Sequence, residues 1–388
     1  MKLTALTRTL RYGCRNLFSR KIYMVCLALV PILFTLFFIN MMDEGVAIRV
    51  PSAIVDLDHS QMSRQLTRTL ASSQMVDITE HLESFHEASE KVRRGEIYGF
   101  FMIPAEFQKD ALGGGTPTIT YYCNMTYFVP GTMVFKGFKT IAVTTTGGLV
   151  QTTLVSAGIG ESTVSQLLQP VVAQIQGTGN PWMNYNYYLT NSFVPGIIAL
   201  MVALVASFSI CEEMKRGSSV EWLRESGGSM IVALFGKLAP QALVATITGV
   251  FCQSVMYGFN HFPMNCPLWH MLLAMVLLVL ASQAFAVIVC CIIPNLRLAV
   301  SICSLSGILA FSIAAFSFPV DQMYPAVGIF SYILPVRYYF LIYIDQALNG
   351  LPLFYSRHYY IALLIFPLVA LIGLRRLKKH CLHPVYVP

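Results

Sequence analysis

The sequence predicts an α-helical polytopic membrane protein with six transmembrane helices and an α/β extracytoplasmic domain between helices 1 and 2. Three observations carry this prediction. First, 55% of the 388 residues are hydrophobic and only 12% are charged, with a mean hydropathy of +0.62, where a soluble chain carries about 25% charged residues. Second, the apolar residues are gathered in long charge-free windows. Third, the remaining Lys and Arg cluster beside alternate window ends. The charge deficit excludes a soluble enzyme, a disordered protein and a nucleic-acid-binding domain.

The first span is residues 22–42, which hold no Asp, Glu, Lys or Arg; crossing a bilayer takes about 20 such residues. Its apolar core is longer than that of a cleavable signal peptide, so it reads as an uncleaved anchor. Residues 1–42 therefore form a basic N-terminus and one helix, and 191–388 carry the other five. The second span is 193–211. Between Lys237 and Arg297 lie 59 uncharged residues, too many for one helix. The turn cluster Gly258-Phe259-Asn260-His261-Phe262-Pro263 divides them into spans over 238–257 and 268–293. Spans five and six are 299–318 and 359–374. Residues 319–356, broken at Pro319, Pro325 and Pro335, read as extracytoplasmic or re-entrant.

Residues 43–190 are long enough for a folded domain. A strand over 51–56 leads to a helix, capped by Asp58 or Ser60, with Met62, Leu66 and Leu70 on one face. A short strand near 75–78 precedes a helix bearing Phe85, Ala88 and Val92, stopped by Gly95. A central strand is expected over 97–103, a helix from Pro104 to the glycines at 113–115, and a last strand over 118–123. Residues 126–190 read as polar and helical. Within them the uncharged window 140–160 is rich in Thr, Gly and Gln and is predicted to be a helix outside the membrane.

Charge sets the orientation. Fourteen basic residues lie at 1–21, 212–228, 294–298 and in the C-terminal tail, with only Glu212, Glu213, Glu221 and Glu225 beside them. By the positive-inside rule both termini are cytoplasmic. The segment 43–190 has nine bases and thirteen acids. The net charge of +7 is thus a topological signal, and no nucleic-acid partner is implied.

No phosphate-cradling loop is present, since Gly228 and Gly236-Lys237 are too far apart and enter an apolar span. The pairs His81/His86 and His380/His383 suit solvated surface better than a metal site. No catalytic set and no metal ligands are predicted. Cys123 and Cys266 are the two cysteines expected outside the cytoplasm, and a bridge and two free thiols are both open. Asn124-Met125-Thr126 matches a glycosylation sequon, a pattern common by chance.

The most informative stretch is Glu212-Glu213-Met214-Lys215-Arg216-Gly217-Ser218-Ser219-Val220-Glu221-Trp222-Leu223-Arg224. Acids and bases interleave around a Gly-Ser break, and Val220 and Leu223 stand at helical spacing. Lying between two spans, it suits a short helix along the membrane that a cytosolic partner can grip. It resembles the coupling-helix region of ABC type-2 exporter permeases, with an acidic-basic run, Gly-Ser/Thr, then Glu-x-Leu. This chain has one more residue between Gly217 and Glu221 than the commonest version. Gly236-Lys237-Leu238-Ala239-Pro240 is similar to the Gly-Lys-x-x-Pro that follows in that family. Residues 53–60, 95–99, 103–107, 317–319, 334–336 and 347–350 resemble its branch with a large extracytoplasmic insert.

The resemblance implies a bacterial inner-membrane permease subunit that exports amphipathic small molecules or lipid-like substrates. It further implies a homodimer or a heterodimer with a related permease, and a separate ABC ATPase subunit that carries the ATP and Mg, with no cofactor on this chain. A periplasmic adaptor and an outer-membrane channel are further implied partners. Glu212, Glu213, Arg216, Gly217, Ser218, Glu221 and Leu223 are the expected ATPase-coupling residues. Gln241, Gln253, Ser282 and Gln283 are polar residues within spans and candidates for a transport path, although interhelical packing bonds explain them more economically. Lys237 is expected to snorkel to the cytoplasmic headgroups. The rival reading is a membrane-anchored sensor or envelope assembly factor that displays the insert and needs no ATPase.

Overall fold

The computed structural model describes residues 2–43, 45, 49–72, 76–113, 115, 118–124, 180, 184–316 and 318–383, with six isolated positions between 131 and 160. Apart from those positions, 180 and 184–190, the window 140–160 and the polar helical segment predicted around it lie outside the described residues. The chain divides into two compact units, Met1–Gly45 with Gly177–Pro388, and Val46–Gln176.

The smaller unit holds a four-stranded sheet in the order β2-β1-β3-β4, with β1 Val50–Asp56, β2 Val76–Leu82, β3 Gly99–Ile103 and β4 Thr120–Cys123. β1 pairs in parallel with both β2 and β3, and β4 is antiparallel to β3. Successive strand residues face opposite sides, so the sheet has two apolar faces. Ile54 and Phe101 pack on one side with Leu66 and Leu70 of a helix over Gln61–Ala71. Ala53, Val55 and Phe100 pack on the other with Ala88 of a helix over Phe85–Arg94. Ser60, not Asp58, caps the first of these helices by accepting from the Ser63 amide; Asp58 instead accepts from the Gln108 amide at 3.2 Å. β2 runs four residues past its expected end, since its pairing with β1 continues to Leu82 opposite Val55.

Gly95 closes the second helix at φ 76°, the left-handed region in which a Cβ meets the following carbonyl. Gly95→Ala is expected to cost about 1–2 kcal/mol for that reason. Amide hydrogen exchange on the full-length protein would show faster exchange across Phe85–Arg94, with the membrane helices unchanged.

In the larger unit, an amphipathic helix α1 (Lys2–Ser19) is followed, among the described residues, by six helices long and apolar enough to cross a membrane. They are Lys21–Met41, Tyr185–Lys215, Met230–Phe259, Leu268–Ile292, Leu296–Ile313 and Leu353–Leu382, here numbered M1 to M6. Several outrun their charge-free windows. M3 begins before Lys237 and M6 continues through Arg375, Arg376 and Lys379. Charge limits how much of a helix sits in lipid, not where the helix itself ends. Between M5 and M6 the segment expected to be extracytoplasmic or re-entrant holds a pair of helices, Pro325–Ser331 and Pro335–Leu348, bent by 81°.

Close helix approach depends on small residues. A Cβ on Gly307 would lie 2.4 Å from Leu200, and one on Gly249 2.6 Å from Met275. Hydrogen bonds add to this packing: Tyr257 donates to Asn191 Oδ1 at 2.7 Å and Tyr343 to the Tyr187 carbonyl at 2.9 Å.

Candidate functional site

M2 ends at Lys215, and Gly217 at φ 73° turns the chain into a short helix, Ser219–Glu225. Two more left-handed glycines, Gly227 and Gly228, turn it again into M3. Glycine carries no Cβ penalty in these turns, which is how seven residues form a helix between two long spans.

One side of this short helix is locked to the membrane unit. Trp222 and Leu223 are 1% and 2% exposed and share an apolar cluster with Met214, Leu234 and Leu377. Ser219 Oγ donates to the Cys381 carbonyl of M6 at 2.7 Å. The opposite side carries Arg216, Gly217, Val220, Glu221 and Arg224, all exposed.

Of the three acids predicted for coupling, only Glu221 is on that outer side; Glu212 and Glu213 are buried. Glu213 is 5% exposed and accepts from three groups: Tyr12 OH at 2.9 Å, Ser218 Oγ and Lys237 Nζ. Burial first, and then the charge of Glu213, raise the Tyr12 phenol above its ordinary pKa, so it remains a donor. Glu212 pairs with Arg20, and with Arg216 at 2.9 Å, and accepts from Tyr23 OH at 3.1 Å. These contacts tie α1 and M1 to the end of M2 and the start of M3. The seven predicted residues therefore separate by position: Arg216, Gly217 and Glu221 are exposed, Ser218 is half-buried, and Glu212, Glu213 and Leu223 are buried.

Lys237 does not snorkel. It is 1% exposed, ion-paired to Glu213, with Nζ 4.8 Å from the Trp222 ring centroid and 5.9 Å from that of Tyr12. A buried carboxylate and two ring faces replace the headgroup water that a snorkelling ammonium seeks.

Sequence reasoning missed α1 and Tyr12, Arg20 and Tyr23. One signal was legible. Ala5, Thr9, Gly13 and Leu17 recur every four residues, and Ala5, Thr9 and Leu17 are buried. At Gly13 this stripe meets M3, where a Cβ would lie 2.1 Å from the Gly236 carbonyl oxygen.

The four polar span residues are not brought together. Gln241 donates to Ser209 Oγ at 3.2 Å, and Gln253 to the Met271 carbonyl at 3.0 Å and Tyr339 OH at 2.9 Å. Gln283 donates to the Leu238 carbonyl at 3.0 Å, and Ser282 to Leu278 of its own helix. Gln283 also borders an apolar cavity of about 550 Å³ between M3, M4 and M6. Among the described residues, no group of three or more His, Cys, Asp or Glu could hold a metal ion.

Comparison with known proteins agrees with this architecture. The model of a family described as ABC-2 family transporter protein matches residues 21–375. No curated protein matches the chain.

Proposed function

From its membership of the ABC-2 transporter family, which makes the chain a multi-pass membrane protein of the permease type, we propose that it is the membrane subunit of an ATP-driven exporter. The single observation that supports this most is the two-sided helix Ser219–Glu225. Its inner side is fastened to M2, M3 and M6, and its outer side offers Arg216, Val220, Glu221 and Arg224. A partner bound to that outer side would move all three spans together.

In this reading Arg216, Gly217 and Glu221 dock on a separate ABC ATPase, which holds the ATP and Mg. Glu212, Glu213, Ser218 and Leu223 transmit the partner's movement instead of touching it. The chain works as a dimer, homomeric or with a related permease, in a bacterial inner membrane with both termini in the cytoplasm. Exported amphipathic or lipid-like molecules leave from the cytoplasm or the inner leaflet. A periplasmic adaptor and an outer-membrane channel fit the large insert.

Reversing Glu221 to Arg places like charge against a surface built for an acid. It is expected to lower co-purification of the ATPase by about tenfold, the effect of 1.4 kcal/mol. Glu221 is exposed, so the thermal stability of the permease itself should not change. Undiminished ATPase capture and transport by E221R would remove this helix from the coupling role. Purification without any nucleotide-binding subunit would favour the sensor or assembly-factor reading.

A further inference from the structure

Among the described residues, one buried guanidinium of the membrane unit has no counterion. Arg337 is 9% exposed, and its Nε and Nη1 are enclosed without a hydrogen-bond acceptor among the described residues. Its Cζ lies 4.8 Å from the Tyr332 ring centroid, which covers one face of the group but accepts nothing in its plane. Asp345, two turns along the same helix, is not its partner and accepts from Ser356 Oγ at 3.1 Å.

The setting is deep. Arg337 follows Leu334-Pro335-Val336, the corner of the bent helix pair. That corner borders a small cavity with Leu200 of M2, Ser282 of M4, and Cys303 and Gly307 of M5, each near the midpoint of its span. Beside it, Tyr338 packs on Phe366, halfway along M6, with ring centroids 6.1 Å apart. The re-entrant corner thus reaches the middle of the bundle, where an ionised side chain marks a functional site by default.

The local field is positive twice over. The helix Pro335–Leu348 begins at this corner, and the N-terminal end of a helix carries partial positive charge. The guanidinium, on the third residue, reaches back past that end to the Tyr332 ring. The carbonyls that end the preceding helix do not offset it. Those of Ile329, Phe330 and Ser331 already accept from the amides of Tyr332, Ile333 and Leu334, and that of Tyr332 accepts from Tyr338 OH at 2.9 Å.

We propose that Arg337, at the N-terminal end of Pro335–Leu348, binds the anionic headgroup, phosphate or carboxylate, of an amphiphile whose apolar part lies against the exposed side chains of Ile329, Phe330, Tyr332 and Ile333 beside it. A guanidinium fork suits such oxyanions, and the exposed apolar side chains beside it suit a chain. The proposal deepens the permease reading by naming a substrate class, but its test is a binding measurement that needs no ATPase.

Full-length protein in neutral maltoside detergent is titrated with dodecyl phosphate, with dodecylphosphocholine and with inorganic phosphate, read by calorimetry. The wild type is expected to bind dodecyl phosphate about tenfold more tightly than dodecylphosphocholine, the scale of one charge-assisted hydrogen bond. Arg337→Met should abolish that preference while leaving dodecylphosphocholine affinity unchanged, and Arg337→Lys should retain part of it. Should Arg337→Met not elute as a folded protein, Arg337→Gln is read in its place. Arg375→Gln, at the other end of M6, should bind as the wild type. Equal preference in Arg337→Met, or none in the wild type, overturns the site. Competition by inorganic phosphate as effective as by dodecyl phosphate overturns the amphiphile assignment. A normal E221R result with no anion preference would leave the permease reading standing and remove only this site.

Discussion

Lys237→Ala is expected to destabilise the protein by about 3–5 kcal/mol, the cost of removing one partner from a buried ion pair. Lys237 is 1% exposed and its carboxylate partner Glu213 is 5% exposed, so alanine leaves a negative charge enclosed without a counterion. Tyr12 and Ser218 still donate to Glu213, and these bonds offset only part of that loss. The cluster also joins α1, M2, M3 and the short helix, so its failure should loosen that whole end of the unit. Thermal unfolding of the purified protein measures the effect. The double variant Glu213→Gln/Lys237→Met removes both charges and should lose less than the two single changes added together. A Lys237→Ala protein that unfolds at the wild-type temperature would show that the pair contributes nothing.

The second large effect is expected at the crossing of α1 and M3. A Cβ on Gly13 would stand 2.1 Å from the Gly236 carbonyl oxygen, and one on Gly236 2.5 Å from Thr9 Cβ and 2.8 Å from the Thr9 backbone carbon. Backbone cannot swing aside as a side-chain tip can, so alanine at either position must part the helices. Overpacking of this kind costs about 1–3 kcal/mol. Gly13→Ala and Gly236→Ala should lower the unfolding temperature and speed tryptic cleavage at Arg8, Arg11 and Arg15 of the full-length protein. Gly258→Ala is the control, because nothing lies within 4 Å of its would-be Cβ. If all three glycine variants behave alike, the close approach is not what holds α1 in place.

Both predictions rest on contacts that the sequence reading did not make. Lys237 sits in an apolar run near a span's end, where a snorkelling anchor is the ordinary expectation. Its partner is 24 residues away and the tyrosine sharing that partner is 201 residues from it. No periodicity links such positions. The residues predicted for coupling show the same boundary. Their helix was legible from the Gly-Ser break and the spacing of Val220 and Leu223, but which acids faced outward was not. Glu213 and Glu221 are both acids in one charged run; the turn at Gly217 puts one inside and the other outside.

The smaller unit was more legible, because the elements described there depend on local rules. Two-residue alternation and the i, i+4 stripe of Leu66 and Leu70 assign strands and helices without reference to distant residues. The strand order and the antiparallel last strand did not follow from those rules.

By itself the sequence determined the membrane class, the six long apolar helices, the sheet and helices of the insert, and the short helix between M2 and M3. Each follows from physics within one segment: about 20 apolar residues to match a bilayer, or a period matched to helix or strand. The tertiary structure alone decided which polar groups are spent inside the protein and which face outward. It buried Lys237 on Glu213 and paired Glu212 with Arg20. It left Arg337 without a counterion among the described residues and exposed Glu221. A charge's partner is set by three-dimensional proximity and the dielectric around it, and neither is written along the chain.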